Sequence, residues 1–100
     1  MRSPAPTIPA GKLDHTVEVL KAVAHPIRLQ IVMLLCQREH SVSEMYQLLG
    51  VRQSVVSQHL ALMRRMGLVA AERGRSRGTY RLEEPQLRDV IQCVLKCNRR

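Results

Sequence analysis

The sequence predicts a mainly α domain with one β-hairpin, in the order α-α-α-α-β-β-α. Apolar residues recur at helical spacing in four successive segments up to residue 66, and again after residue 85. Gly50 and Gly67 cut two of those segments short. Between residues 68 and 83 the helical period is lost, and a polar loop bounded by two glycines separates two short strand-like runs.

Residues 1–11 hold Pro4, Pro6, Pro9 and Gly11 and show no apolar period, so they read as a disordered arm before a domain over residues 12–100. From Leu13 the pattern changes: Leu13, Val17, Leu20 and Ala24 share one helix face, with Asp14 near its start. His25-Pro26 then interrupts the chain. Proline fits the first turn of a helix, where its missing N–H has no partner to lose, so a second helix begins there. Ile27, Ile31, Leu34 and Leu35 carry it to about Cys36, and being apolar on most sides it should be central. After a short polar turn, Ser41 and Glu44 have the spacing of a capping box, which opens a helix over residues 42–49. A fourth helix follows over roughly residues 53–66. Residues 68–73 and 79–83 are the strands, joined by Gly74-Arg75-Ser76-Arg77-Gly78. Pro85 opens a last helix whose Leu87, Val90, Ile91, Val94 and Leu95 form one stripe. No segment repeats.

One hundred residues suffice for one small domain, and 45% apolar residues suffice for its core. A chain this short buries only about two-thirds of its unfolded surface, so dimerisation is a natural source of stability. Sixteen Lys and Arg against eight Asp and Glu leave +8, a balance that suits a polyanionic partner. No apolar run approaches the ~18 residues of a membrane span, and residues 1–11 lack the apolar stretch of a signal peptide. A cytoplasmic protein with no membrane partner is therefore expected. With no Trp, no Phe and two Tyr, the chain has no aromatic platform for single-stranded nucleic acid. Three cysteines, an odd number, argue for reduced thiols rather than a disulfide framework.

The third and fourth helices, separated by a three-residue turn that contains a glycine, have the form of a helix-turn-helix. On a helical wheel Val56, Leu60 and Met63 share one side of the fourth helix, flanked by Val55, Leu62 and Met66. Gln53, Ser54, Ser57, Gln58, Ala61, Arg64 and Arg65 share the other. Gln can read adenine, Ser reaches base or phosphate, and Ala can touch a thymine methyl. Arg64 and Arg65 then suit phosphates, as does Arg52 just before the helix. From residue 64 to residue 81 there are six arginines and one acid. Arg73, Arg75 and Arg77 alternate around two glycines, making the hairpin a cationic finger for a phosphate backbone or a minor groove. A helix-turn-helix followed by such a hairpin is a winged helix-turn-helix, and double-stranded operator DNA is its expected partner.

Four runs of residues resemble the ArsR/SmtB family of bacterial winged-helix repressors: His25-Pro26-Ile27-Arg28-Leu29-Gln30-Ile31, Ser54-Val55-Val56-Ser57-Gln58-His59-Leu60, Met66-Gly67-Leu68-Val69 and Gly78-Thr79-Tyr80-Arg81-Leu82. The resemblance covers roughly residues 13–97. It implies a homodimer packed through the first and last helices, released from operator DNA by an effector. Many metal-sensing members carry two cysteines where this chain has Ser41 and Ser43, so that site is absent. The zinc-site positions of the last helix read Glu84, Gln86, Cys97 and Arg100 here, which breaks that site too. The family's usual Ser cap on the recognition helix is Arg52.

Cys36, Cys93 and Cys97 remain as effector candidates. Cys93 and Cys97 are one helical turn apart. Members that sense persulfide or oxidants pair a cysteine of the second helix with one of the last, and this chain resembles that plan, with Met33 at the usual second-helix position. The three thiols fit three roles: apolar filler, a sulfur or redox switch, or a site for a soft metal or metalloid such as As(III). No other cofactor is implied. His25 is expected at the start of the second helix, His15 and His40 at exposed helix ends, and His59 in a structural role. No Ser/His/Asp set, carboxylate pair or phosphate-cradling glycine loop is present, so the chain is not expected to be an enzyme. The leading reading is a dimeric, sequence-specific repressor released by thiol chemistry. The alternatives are the same repressor sensing a soft metal, or a winged-helix protein-interaction module that reads no DNA sequence.

Overall fold

The computed structural model describes residues 10–72 and 78–97. Five helices and three short strands follow one another as α1 (Ala10–Val23), α2 (Pro26–Gln37), β1 (His40–Ser41), α3 (Val42–Leu49), α4 (Gln53–Arg65), β2 (Val69–Ala71), β3 (Thr79–Leu82) and α5 (Pro85–Cys97). This is a winged helix-turn-helix. The arm expected over residues 1–11 falls outside the described residues up to residue 9, and Ala10 and Gly11 already belong to α1.

Local chemistry sets the boundaries. His25 is the N-cap of α2 in extended conformation, its Nδ1 accepting from the Ile27 N–H at 3.1 Å, with Pro26 in the first turn. Ser41 and Glu44 close the capping box of α3 in both directions, each bond at 3.0 Å. Gly50 ends α3 at φ 68°, a left-handed conformation that side chains disfavour. Gly67 (φ 79°) does the same service between α4 and β2.

The strands pair antiparallel in the order β1-β3-β2. β1 is missing from the order read in the sequence, where residues 40–41 pass for part of a polar turn. Two residues are too short to show a strand period, and only their partners Tyr80 and Thr79 across the sheet make them a strand. The strands expected over 68–73 and 79–83 are trimmed to β2 and β3. The Val42 N–H donates to the Gly78 carbonyl at 3.0 Å, tying the start of α3 to the hairpin.

Ile31, Val32 and Leu35 of α2, Met45 of α3, Val56, Leu60 and Met63 of α4, and Leu68 and Val69 form the centre of the core, each almost fully buried. The expected central role of α2 is thus realised. Ala22 and Val23 of α1 and Leu87 and Ile91 of α5 complete the core from outside. The rest of the terminal helices' apolar stripes stays uncovered: Leu13, Val17 and Leu20 on α1, and Val90, Val94 and Leu95 on α5, are each between 39% and 50% exposed. No single described helix is long and apolar enough to cross a membrane.

Candidate nucleic-acid interface

Helix α4 is held by one side and open on the other. Val56, Leu60 and Met63 anchor it in the core, and Val55, Leu62 and Met66 are half-buried beside them. Gln53, Ser54, Ser57, Gln58, Ala61, Arg64 and Arg65 are all exposed, so the division expected from the helical wheel is the division of surface in the fold. Arg52 stands at the N-cap with no side-chain hydrogen bond to the helix, and its carbonyl accepts from the Val55 and Val56 N–H groups. The first N–H groups of α4 therefore have no side-chain cap. Among the described residues no carboxylate pairs with Arg52, Arg64 or Arg65.

One arginine of the basic run is already paired with carboxylates. Arg81 bonds Glu72 through Nη1 and approaches Glu83 at 3.3 Å through Nη2, and these carboxylates hold its guanidinium more firmly charged. It is engaged within the sheet rather than free for a polyanion. Arg73, Arg75 and Arg77 lie outside the described residues.

The histidines divide differently from the sequence expectation at one point. His25 caps α2 as expected, and His59 is half-buried with its ring centroid 4.6 Å from that of His25. Burial, together with the positive charge of His25 and Arg28, pushes the His59 imidazole below its ordinary value. His15 is exposed, 3.7 Å from Glu84. His40, expected at an exposed helix end, is buried: its pairing with Tyr80 turns the residue into the sheet. Its Nδ1 lies 3.5 Å from Glu44 Oε1, and neither ring nitrogen has a hydrogen-bond partner.

Cys36 is half-buried near the end of α2 and Cys93 is exposed on α5; both are free thiols. The side chain of Cys97 lies outside the described ones. Burial pushes the Cys36 thiol up, opposed by the nearby Arg88 guanidinium. At Cys36 desolvation therefore outweighs the neighbouring positive charge. Arg88 of α5 donates through Nη1 to the Cys36 carbonyl, a link across 52 residues with no local sequence signal. Arg88 and Cys93 are five positions apart, about 140° around a helix. Cys93 therefore stands on another side of α5 from the residue that touches α2. Among the described residues no three His, Cys, Asp or Glu side chains are grouped to hold a metal ion.

An anchored helix with a polar, arginine-ended outer face, placed second in a helix-turn-helix and followed by a hairpin, defines a winged-helix module for duplex DNA. Residues 25–71 match the family described as bacterial regulatory protein, arsR family. The chain is 38% identical over 90 residues to the transcriptional repressor SmtB of Mycobacterium tuberculosis, covering 86% of this chain and 67% of that one. The structure of HlyU from Vibrio cholerae superposes with a TM-score of 0.83 at 33% identity, covering 90% of this chain and 98% of that one. A homodimeric winged helix-turn-helix DNA-binding domain from Mycobacterium bovis superposes at 0.77 with 30% identity, covering 94% and 89%. The chain belongs to the ArsR family, whose members are transcriptional regulators and not enzymes.

Proposed function

We propose that this protein is a homodimeric repressor that reads an operator through α4, with Gln53, Ser54, Ser57, Gln58 and Ala61 toward the bases. Arg52, Arg64, Arg65 and the hairpin arginines Arg73, Arg75 and Arg77 take the phosphates. The observation that carries this is the exposed face of α4, uncharged and polar for its first nine residues and cationic at its end. A face built to dock another protein needs large apolar or aromatic anchors, and α4 exposes none. Two protomers meet through the uncovered stripes of α1 and α5; the homodimeric relative from M. bovis supports a dimer. The name of the SmtB repressor supports repression, although HlyU is named an activator.

Release by thiol chemistry at Cys36 with Cys93 or Cys97 belongs to the same proposal. One similar structure is described as reduced HlyU, which supports a redox reading. Because Cys93 faces away from the α2 side of α5, a bond to Cys36 within one protomer requires α5 to turn. That helix also carries the dimer face, so the turn changes the spacing of the two α4 helices. Coupling of ~1–3 kcal/mol is enough for release. The action is placed in the cytoplasm, where operator DNA is.

Selection from random duplexes with the purified, reduced protein tests the reading. The expected product is a two-fold site whose halves lie about one helical turn apart. Gln58→Ala should relax base preference, while Arg75→Ala or Arg77→Ala should weaken all sequences alike and lower the salt slope by ~1 per lost phosphate contact. Selected pools with no common motif would overturn it.

A further inference from the structure

A recess of about 580 Å³ opens between the end of α2, β3 and the first turn of α5. That volume lies within the roughly 300–1,000 Å³ typical of small-molecule sites. Leu35 and Leu82 supply its apolar lining. Around them stand three guanidinia, those of Arg38, Arg81 and Arg88, against a single carboxylate, that of Glu39.

The three arginines are not equally satisfied. Arg81 is engaged by Glu72 and Glu83. Arg38 lies 3.6 Å from Glu44 and donates to the Glu39 carbonyl at 2.9 Å. Among the described residues, which include all eight acids of the chain, no carboxylate pairs with Arg88. Its hydrogen bond goes to the Cys36 carbonyl, which also screens the negative end of α2. A guanidinium has five donors, so the greater part of this fork is unspent.

We propose that the recess binds a small organic acid, its carboxylate on Arg88 with Arg38 alongside and its apolar body over half-buried Leu82, beside the nearly enclosed Leu35. An unpaired planar fork selects a carboxylate, which it can hold through two parallel bonds. The leucines select against a bare inorganic oxoanion, which has nothing to bury there. No residue of α3 or α4 lines the recess, so the site is separate from the DNA-facing helix. Its walls belong to the sheet strand that carries the hairpin and to the helix that carries the exposed apolar stripe, so an occupant touches both.

The test is a methyl NMR titration of the full chain without DNA, using benzoate and hexanoate as probes, with benzamide and sulfate at matched ionic strength as comparisons. Benzoate or hexanoate should shift the Leu35 and Leu82 methyl signals saturably, and benzamide and sulfate should not. Arg88→Gln should weaken binding by at least about tenfold. Arg88→Lys, which keeps the charge but loses the fork, should weaken it less, and Arg65→Gln should leave it unchanged. The proposal is overturned if neither acid saturates these signals. It is equally overturned if benzamide or sulfate matches the acids, or if the Arg88 and Arg65 variants behave alike in chains with otherwise wild-type spectra. DNA takes no part in the measurement, so a negative result leaves the operator reading standing.

Discussion

His40 is paired in register with Tyr80, and the next residue, Ser41, is both the partner of Thr79 and the N-cap of α3. One residue step thus joins the hairpin strand to the first helix of the helix-turn-helix. The capping box at Ser41 and Glu44 is where the two DNA-facing parts share a support. Ser41→Ala removes the hydroxyl that accepts from the Glu44 N–H. A loss of ~1 kcal/mol is expected, read as a lower urea midpoint at unchanged slope. An unchanged midpoint would show that the sheet pairing alone holds α3 in place.

The pH dependence of stability has a sign that follows from His59. Its folded-state value lies below the ordinary imidazole value of about 6.5. On acidification the unfolded chain therefore takes up this proton first, and stability falls as pH drops below about 6.5. His59→Gln should flatten that slope in urea titrations at successive pH values. Glu44 acts in a lower window: the Ser41 N–H holds its carboxyl below the ordinary glutamate value. Its contribution is present above about pH 4.3 and disappears as pH falls through its folded value. If the wild type and His59→Gln lose stability in parallel below pH 6.5, the His25–His59 contact does not govern this range.

The uncovered stripes predict a dimer that a single charge can break. Leu20→Asp or Val94→Asp alters a residue about half exposed in the protomer, so the fold should survive while association fails. Sedimentation should give a dimer for the wild type and a monomer for either variant. Operator affinity should fall steeply in the variants, because each monomer reads one half-site. A wild-type monomer at micromolar concentration that still binds operator tightly would exclude this assembly.

For the cysteines, the comparison that decides is operator affinity of the wild type and of Cys36→Ser/Cys93→Ser/Cys97→Ser, each before and after a persulfide donor or an oxidant. The wild type should lose roughly 5- to 150-fold, and reductant should restore it; the triple variant should not respond. Cys36 should react slowly at neutral pH, since burial holds its thiol protonated. Titration with arsenite tests the metalloid alternative through thiolate absorption and released protons. An identical response of the two proteins would make the thiols packing residues.

What the sequence by itself determined is whatever short-range chemistry encodes. The helix period along Val56, Leu60 and Met63 showed which side of α4 is buried, and hence which residues face outward, because burial on a helix follows its own repeat. The caps at His25, Ser41 and Gly50 likewise announced helix ends, since a cap bonds only to neighbours in the chain. Tertiary structure decided everything that depends on partners distant in sequence. β1 exists only through Tyr80 and Thr79, and that pairing buried a histidine whose surroundings read as a polar turn. Arg81 counted as one cation of a basic run until the sheet brought Glu72, nine residues back, to join the neighbouring Glu83 beside it. The bond from Arg88 to the Cys36 carbonyl, 52 residues away, exists only because α5 packs near the end of α2. Charge and hydrogen bonding act over a few ångströms in space, whatever the separation along the chain, so no local pattern of residues could announce these contacts.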